Sequence, residues 1–99
     1  MLAINCNIST LTEVTNMLDE QRVKSYQIIR EVTGKNVKGV PRFNSAVWPG
    51  FSALILAPFA DAGRAMLVIA EIKKFNNNAI NDDEHISCCS WAIDEYIYD

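Results

Sequence analysis

The repeated change in hydrophobic period along this 99-residue chain is the feature that most constrains its fold. Residues 2–8 alternate between apolar and smaller or polar side chains, which is the period of a strand that buries one face. Leu11, Val14 and Leu18 then recur at helical spacing, and this pattern continues to about Arg22. The chain therefore begins with a strand followed by an amphipathic helix.

Local signals describe both helical segments more closely. Thr10 and Glu13 have the spacing of a capping box, which predicts the start of the first helix. Residues 60–75 form the second helical segment, and its lysines lie in the predicted last turn, where the helix dipole favours cations. The face of this segment expected to meet the core consists of Ala62, Met66, Ile69 and Ile72.

Three further segments have the composition of strands. Residues 25–33 are rich in β-branched and aromatic side chains, residues 51–58 form an almost continuous apolar run, and residues 86–94 alternate between two faces. The resulting order is βαββαβ. It predicts one α+β, ferredoxin-like domain over residues 1–99, with a four-stranded antiparallel sheet and both helices on one face.

Composition indicates how the other face of that sheet is covered. Hydrophobic residues make up 49% of the chain, and even the polar strands carry apolar side chains on both faces. A domain of this size buries only roughly 60 to 70% of the surface that its unfolded chain exposes, so association is favourable. We therefore expect other copies of the chain to cover the helix-free face in a closed ring.

Charge excludes some classes of partner. The net charge of −3 and the pI near 5.0 argue against nucleic acids and anionic membranes, which select a broad positive field. The first ten residues lack the basic start and apolar stretch of a secretion signal. Three cysteines, an odd number, do not suggest a disulfide framework, so a cytoplasmic location is expected.

Two stretches resemble the PII signal-transduction family. The run SYQIIREVTGKNVKG is similar to the second strand and glycine turn of that family, and AVWPGFSALIL is similar to the start of its third strand. The resemblance implies a homotrimer that binds a small effector in the cleft between subunits. It also implies that the loop between the second and third strands contacts a partner, such as a membrane transporter or an enzyme.

The chain departs from nitrogen-regulatory PII proteins at two places. Its loop is shorter and has no tyrosine, so uridylylation of the family type is not expected. The segment NNNAINDDEHIS has no glycine where the family has a glycine-rich, ATP-holding turn. The resemblance is therefore to the divergent PII-like branch, some members of which act with bicarbonate transporters or heavy-metal efflux systems, and no cofactor is predicted.

The central loop carries the residues expected to bind the effector. Two glycines have the spacing of a P-loop, but the Lys and Ser or Thr of a Walker A motif are missing. Glycine backbone allows close approach of an anion, and nearby cations supply charge to a phosphate or carboxylate. The alternative interpretation is a solvated turn with ordinary surface cations. The predicted ligand-binding residues are Gly34, Lys35, Lys38, Gly39 and Arg42.

The end of the loop is aromatic and turn-forming. Trp48 precedes Pro49 and Gly50 directly before the third strand. Its ring could stack on a base or on an apolar patch of a partner, or it could anchor the loop where it rejoins the core. We favour the anchor because a large aromatic side chain next to a strand usually buries itself.

A second group of residues raises the question of metal binding. His85, Cys88 and Cys89 are ligand types for zinc or copper(I), but adjacent strand residues point to opposite faces. Cysteine also packs as a small hydrophobe, so structural packing is favoured and no metal site is predicted. A trimeric metal-binding or metal-tolerance protein of the CutA type remains the alternative, together with a structural adaptor. No nucleophile motif is present, so an enzyme is not expected.

Overall fold

The computed structural model describes residues 1–37, 39–47 and 49–97. Within these residues the chain forms one antiparallel four-stranded sheet in the order β2-β3-β1-β4, with two α-helices. This arrangement confirms the predicted α+β, ferredoxin-like fold. The elements are β1 (Leu2–Asn7), α1 (Leu11–Glu20), β2 (Gln27–Val32), β3 (Ser52–Ala57), α2 (Ala62–Asn78) and β4 (Ser87–Ser90), with 3-10 turns at Ile8–Thr10 and Asp82–Glu84.

The core lies between the helices and one face of the sheet. Ile4 of β1 sits opposite Ile55 of β3 and Cys88 of β4, so this face is continuous across three strands. Alternate residues of β1 are fully buried, as its period of two predicts. The buried cluster consists of Leu2, Ile4, Cys6, Leu11, Val14, Leu18, Ala53, Ile55, Val68, Ile72 and Ile86.

The opposite face of the sheet carries no helix and remains partly apolar. Leu54 lies between Asn5 of β1 and Ile29 of β2, and Leu56 is the next residue on the same side of β3. Ile29 is 49% exposed. A central strand with leucines on the open side is unusual for a sheet face that meets water. This face therefore has the composition of a surface that another protein surface covers.

The predicted capping box is wrong. Thr10 makes no side-chain bond that caps α1, because its Oγ1 donates instead to the carbonyl of Asn7 at 2.9 Å. Ile8 belongs to the 3-10 turn that precedes the helix, so β1 ends one residue earlier than expected. The predicted apolar stripe of Leu11, Val14 and Leu18 is confirmed as the buried side of α1.

The predicted core face of α2 is also wrong in part. Ile72 is buried as expected, but Val68 is the other buried residue, and Met66 is 61% exposed. The helix extends to Asn78, so Lys73 lies before its last turn and not within it. Ile69 and Ile72 belong to both the predicted face and the face that packs on the sheet, so sequence periodicity alone located that face only in part.

Candidate functional site

The central loop starts and ends as a narrow extension of the sheet. Gly34 and Arg42 form an isolated antiparallel bridge in which each backbone N–H donates to the other residue's carbonyl at 2.8 Å. Gly34 is half-buried, and a β-carbon there would meet no atom within 4 Å. Residues 34–37 and 39–42 therefore form a closed arch whose base is held by β2 and the approach to β3. We call this segment the arch.

The arch reaches across the end of the sheet to the turn before β4. The backbone N–H of Val40 donates to Oδ1 of Asp83 at 2.8 Å, a contact between residues 43 positions apart. Closer to the arch base, Asn36 Nδ2 donates to Oδ1 of Asn5 on β1 at 3.4 Å. These two contacts tie the loop to the turn before β4 and to β1.

Gly39 allows the arch to approach that turn. Its φ of 85° lies in the left-handed region, which a residue with a β-carbon adopts only at a cost. A β-carbon on it would lie 2.6 Å from Asp83 Oδ1, well inside contact distance. The glycine predicted to bind an effector thus has a clear steric role.

A cleft of about 390 Å³ lies between the arch and the turn before β4. The arch contributes Lys35, which is exposed, together with its two following residues. The lining combines one cation, two side-chain amides, a histidine and a carboxylate, which suits a polar or anionic ligand. The lining residues are Lys35, Asn36, Val37, Asn76, Asp82, His85, Ile86 and Ser87.

Asn76 builds the far wall of the cleft. Its Nδ2 donates to the carbonyl of Ile86, and its Oδ1 accepts from the N–H of Ile86, both at 2.8 Å. The Asn76 amide thereby bonds both backbone groups of Ile86, the residue directly before β4, as a neighbouring strand would. The turn is closed further by Glu84, whose Oε2 accepts from the N–H of Ile80 at 3.0 Å. These contacts give the cleft a rigid wall opposite the arch.

Arg42 lies in a different environment from the other loop cation described. It is only 5% exposed, and its Nε donates to Oγ of Ser52 at 2.7 Å. Its Nη2 is buried and has no hydrogen-bond partner among the described residues. The guanidinium therefore lies against the end of the sheet, outside the cleft lining.

Burial raises the pKa of the Cys6 thiol, while a hydrogen bond with Thr10 and the charge of Arg42 act in the opposite direction.

A backbone hydrogen bond closes the exit of the loop. The N–H of Asn44 donates to the carbonyl of Gly50 at 3.0 Å, and both residues have positive φ. Pro49 and Gly50 are exposed. Lys38 and Trp48, two of the residues predicted for the site, lie outside the described residues.

The structure brings together only part of the predicted ligand set. Lys35 lines the cleft, Gly39 contacts the opposite turn, and Gly34 closes the base of the arch. Sequence reasoning missed Asn76 and Asp83 as site residues. Asp83 belongs to an acidic run in an Asn-rich turn, which is typical of a solvated segment, and Asn76 carries no local signal.

The cysteines are divided between the two faces of the sheet, as adjacent strand positions require. Cys6 is fully buried and Cys88 half-buried, but Cys89 is exposed, so its predicted core packing is wrong. Burial and the neighbouring Cys89 raise the pKa of the Cys88 thiol. Within residues 1–37, 39–47 and 49–97, no three His, Cys, Asp or Glu side chains are grouped as a metal site. No helix in the described chain combines the length and apolarity needed to cross a bilayer.

Comparison with solved structures identifies proteins of the same fold. CPII from Thiomonas intermedia K12, a nitrogen regulatory PII-like protein bound to ADP, AMP and bicarbonate, aligns over 97% of this chain and 92% of its own, with 17% identity and a TM-score of 0.64. CPII bound to ADP, AMP and acetate aligns over 89% of this chain and 78% of its own, with 19% identity and a TM-score of 0.60.

A third CPII structure, bound to ADP and bicarbonate, aligns over 89% of this chain and 80% of its own, with 17% identity and a TM-score of 0.61. The sequence matches no protein-family model and no curated protein. The predicted resemblance to PII-like proteins is thus confirmed at the level of the fold.

Proposed function

We propose that this chain is a divergent PII-like regulatory protein without catalytic activity. In this proposal it forms a homotrimer and binds a small anionic effector, such as a nucleotide, in the cleft beside the arch. Ligand binding changes the arch and the rest of the 34–50 loop, and the loop controls a partner protein, either a membrane transporter or an enzyme. Three free cysteines suit a reducing compartment such as the cytoplasm.

The observation that carries the proposal is the composition of the cleft walls. One wall is the arch, and the other is the turn before β4, so a bound ligand contacts both segments at once. Lys35 offers charge, while Asn36 and Asn76 offer amide groups at the edge of the same space. CPII, which has the same fold, is bound to ADP, AMP and bicarbonate, and this supports a small anionic effector here.

The proposed trimer completes the cleft and covers the open face of the sheet. In one chain the cleft is shallow and open, so a second copy supplies the missing wall. Leu54, Leu56 and Ile29 form an apolar surface of the kind that subunit interfaces bury. Ring closure would place three equivalent clefts at the contacts between copies.

Titration calorimetry with ADP, AMP, ATP and bicarbonate, singly and in pairs, tests the proposal. We expect saturable binding of at least one nucleotide, and we expect Lys35→Ala to weaken it because the exposed lysine loses its contact with the ligand charge. Lys24→Ala is the matched control, since Lys24 is also exposed and lies before β2 at the other end of the sheet.

Hydrogen exchange on the same samples tests the effect on the loop. Amides from Gly34 to Val47 should gain protection when the ligand binds, because ordering of the loop closes slow backbone openings. If no nucleotide or anion binds and the amides are strongly protected without ligand, the regulatory proposal is wrong. Stabilisation by zinc or copper(I) alone would instead favour the CutA-like metal-binding alternative.

A further inference from the structure

The three acidic residues of the turn before β4 have different contacts. Glu84 stays within the turn, where its Oε2 accepts from the N–H of Ile80 at 3.0 Å. Asp82 is exposed and lines the cleft. Asp83 reaches out of the turn, because its Oδ1 accepts from the N–H of Val40 in the arch at 2.8 Å. One carboxylate of the turn is therefore bound to the opposite wall of the cleft.

The N–H of Val40 is a donor of the kind that binds an anion. It directly follows Gly39, whose φ of 85° is left-handed, and successive backbone N–H groups around a left-handed residue form concavities that bind anions. A carboxylate that accepts from such an N–H makes a charge-assisted bond, which is stronger than a bond between neutral groups. Asp83 Oδ1 enters the space that the missing β-carbon of Gly39 leaves, since that carbon would lie 2.6 Å from the oxygen. The protein's own carboxylate thus fills an anion position on the arch.

This contact lies beside the cleft. On the arch, the residues from Lys35 to Val37 line the cleft, and Val40 follows on the same segment. On the turn, Asp82 and His85 line the cleft, and they stand on either side of Asp83 in the sequence. An anion in this space would meet the negative charge of the turn, because like charges repel. Asp83 therefore opposes such an anion by its charge and also holds a donor that the anion could use.

We propose that Asp83 is an intramolecular competitor of the anionic effector. Its carboxylate binds the Val40 N–H in the free protein, and an acid group of the effector replaces it at that N–H. This inference rests on the proposed function and adds an autoinhibitory contact to the same cleft. The apparent affinity for the effector falls with the fraction of molecules in which Asp83 holds the arch. Displacement frees the arch from the turn, which couples effector binding to the position of the 34–50 loop.

Asp83→Ala provides the direct test, because it removes the competing carboxylate and leaves the Val40 N–H available to the effector. Calorimetry with ADP, AMP and ATP should show an affinity about tenfold higher than that of the wild type, since one charge-assisted hydrogen bond no longer has to be broken. Asp83→Asn is the matched variant, since it removes the same charge but retains an oxygen that accepts from an N–H. Its gain in affinity should be smaller than that of Asp83→Ala.

Asp82→Ala controls for the effect of charge alone. Asp82 lines the cleft and is not the acceptor for Val40, so its removal reduces repulsion without freeing the N–H. Salt screens repulsion between exposed charges, so any gain in affinity in Asp82→Ala should disappear at high ionic strength. Most of the gain in Asp83→Ala should remain under the same conditions. Equal gains in the two variants, or no gain in Asp83→Ala, overturns the inference.

NMR of the wild-type protein tests the displacement without a substitution, which keeps the inference testable if Asp83→Ala folds poorly. The amide signal of Val40 should shift on saturation with nucleotide or with inorganic pyrophosphate, because its hydrogen-bond acceptor changes. An unchanged Val40 signal at saturation shows that Asp83 stays in place and overturns the inference.

Inorganic pyrophosphate also separates this inference from the proposed function, since it carries acid groups without a base. If nucleotide binds the wild type and Asp83→Ala equally, only the inference fails. If pyrophosphate binds Asp83→Ala more tightly than the wild type but no nucleotide binds, the inference stands and the nucleotide part of the proposed function fails. If neither probe binds the wild type or any variant, both are wrong.

Discussion

Gly39 and Asp83 fit against each other so closely that a single β-carbon would not fit between them. The position of that carbon lies 2.6 Å from Asp83 Oδ1, and the same oxygen accepts from the N–H of Val40 at 2.8 Å. The contact joins the arch to the 3-10 turn that precedes β4. It links the two walls of the cleft directly.

Gly39→Ala should release the arch from the turn. The substitution costs about 1 to 2 kcal/mol for the left-handed backbone alone, and the added methyl group also displaces Asp83. Hydrogen exchange should show faster exchange at Val40 and its neighbours in the arch, with little change in the strands. Unchanged protection of the arch amides would show that the contact does not hold the arch.

Asp83→Ala tests the same contact from the turn. It removes the acceptor of the Val40 N–H without changing the backbone of the arch, so exchange at Val40 should again be faster. Asp82→Ala is the control, because it removes a neighbouring carboxylate that is exposed and is not the acceptor for Val40. Equal effects of the two substitutions would indicate a general charge effect.

Asn76→Ala should destabilise the fold by about 1 to 3 kcal/mol, since it removes two hydrogen bonds and leaves the Ile86 backbone groups without partners. Chemical denaturation measures this loss of unfolding free energy. The control is Asn77→Ala, at the exposed neighbouring position. The β4 amides should lose protection first, because Asn76 holds the start of that strand. A loss equal to that of the control would mean that water replaces the amide at no cost.

Much of the fold was accessible from the sequence because short-range periodicity sets which residues face the core. Leu2, Ile4 and Cys6 alternate as a half-buried strand must, and the structure buries all three. The face of α2 was predicted less well, since helical spacing in an alanine-rich segment fits more than one stripe. Val68 is buried and Met66 is exposed, because packing against the sheet determines which stripe of the helix is buried.

The site depends on contacts that no local pattern records. Asp83 meets a residue 43 positions earlier, and the burial of Arg42 results from the folding of the arch onto the sheet. In the sequence, Arg42 and Lys35 are two cations of one polar loop. In the structure Arg42 is buried against Ser52, whereas Lys35 lines the cleft. Tertiary contacts alone distinguish these two cations, so the sequence assigned them the same role.

Cysteine reactivity should follow burial. Cys89 is exposed and should react rapidly with a thiol reagent, whereas burial raises the pKa of both the Cys6 and Cys88 thiols and lowers their thiolate fraction. Alkylation of native protein followed by peptide mass mapping measures the order. Modification of Cys6 as fast as Cys89 would contradict the packing described for β1.

The raised thiol pKa values also predict sensitivity to alkali. A group with a raised folded-state pKa binds its proton more tightly when folded, so its contribution is fully present below the ordinary thiol value of 9.0. That contribution is lost as the pH rises through the folded-state pKa. Denaturation at increasing pH should show declining stability above 9.0, with a smaller slope in Cys6→Ala than in the wild-type protein.

Assembly should depend on the helix-free face of the sheet. Leu54 lies in the middle of that face on β3, next to Ile29, and a charge placed there could not be buried between subunits without a partner. Light scattering should give about three times the 11.1 kDa subunit mass for the wild type, because the proposed assembly is a homotrimer. Leu54→Glu should give the mass of a single chain.

Leu67→Glu is the matched control, because Leu67 is 54% exposed on α2, on the other side of the sheet. It introduces the same charge in place of the same side chain, so the trimer should persist. Circular dichroism on both variants distinguishes dissociation from unfolding. A wild-type protein that stays monomeric at micromolar concentration, or loss of assembly in Leu67→Glu alone, would show that the open face is not the interface.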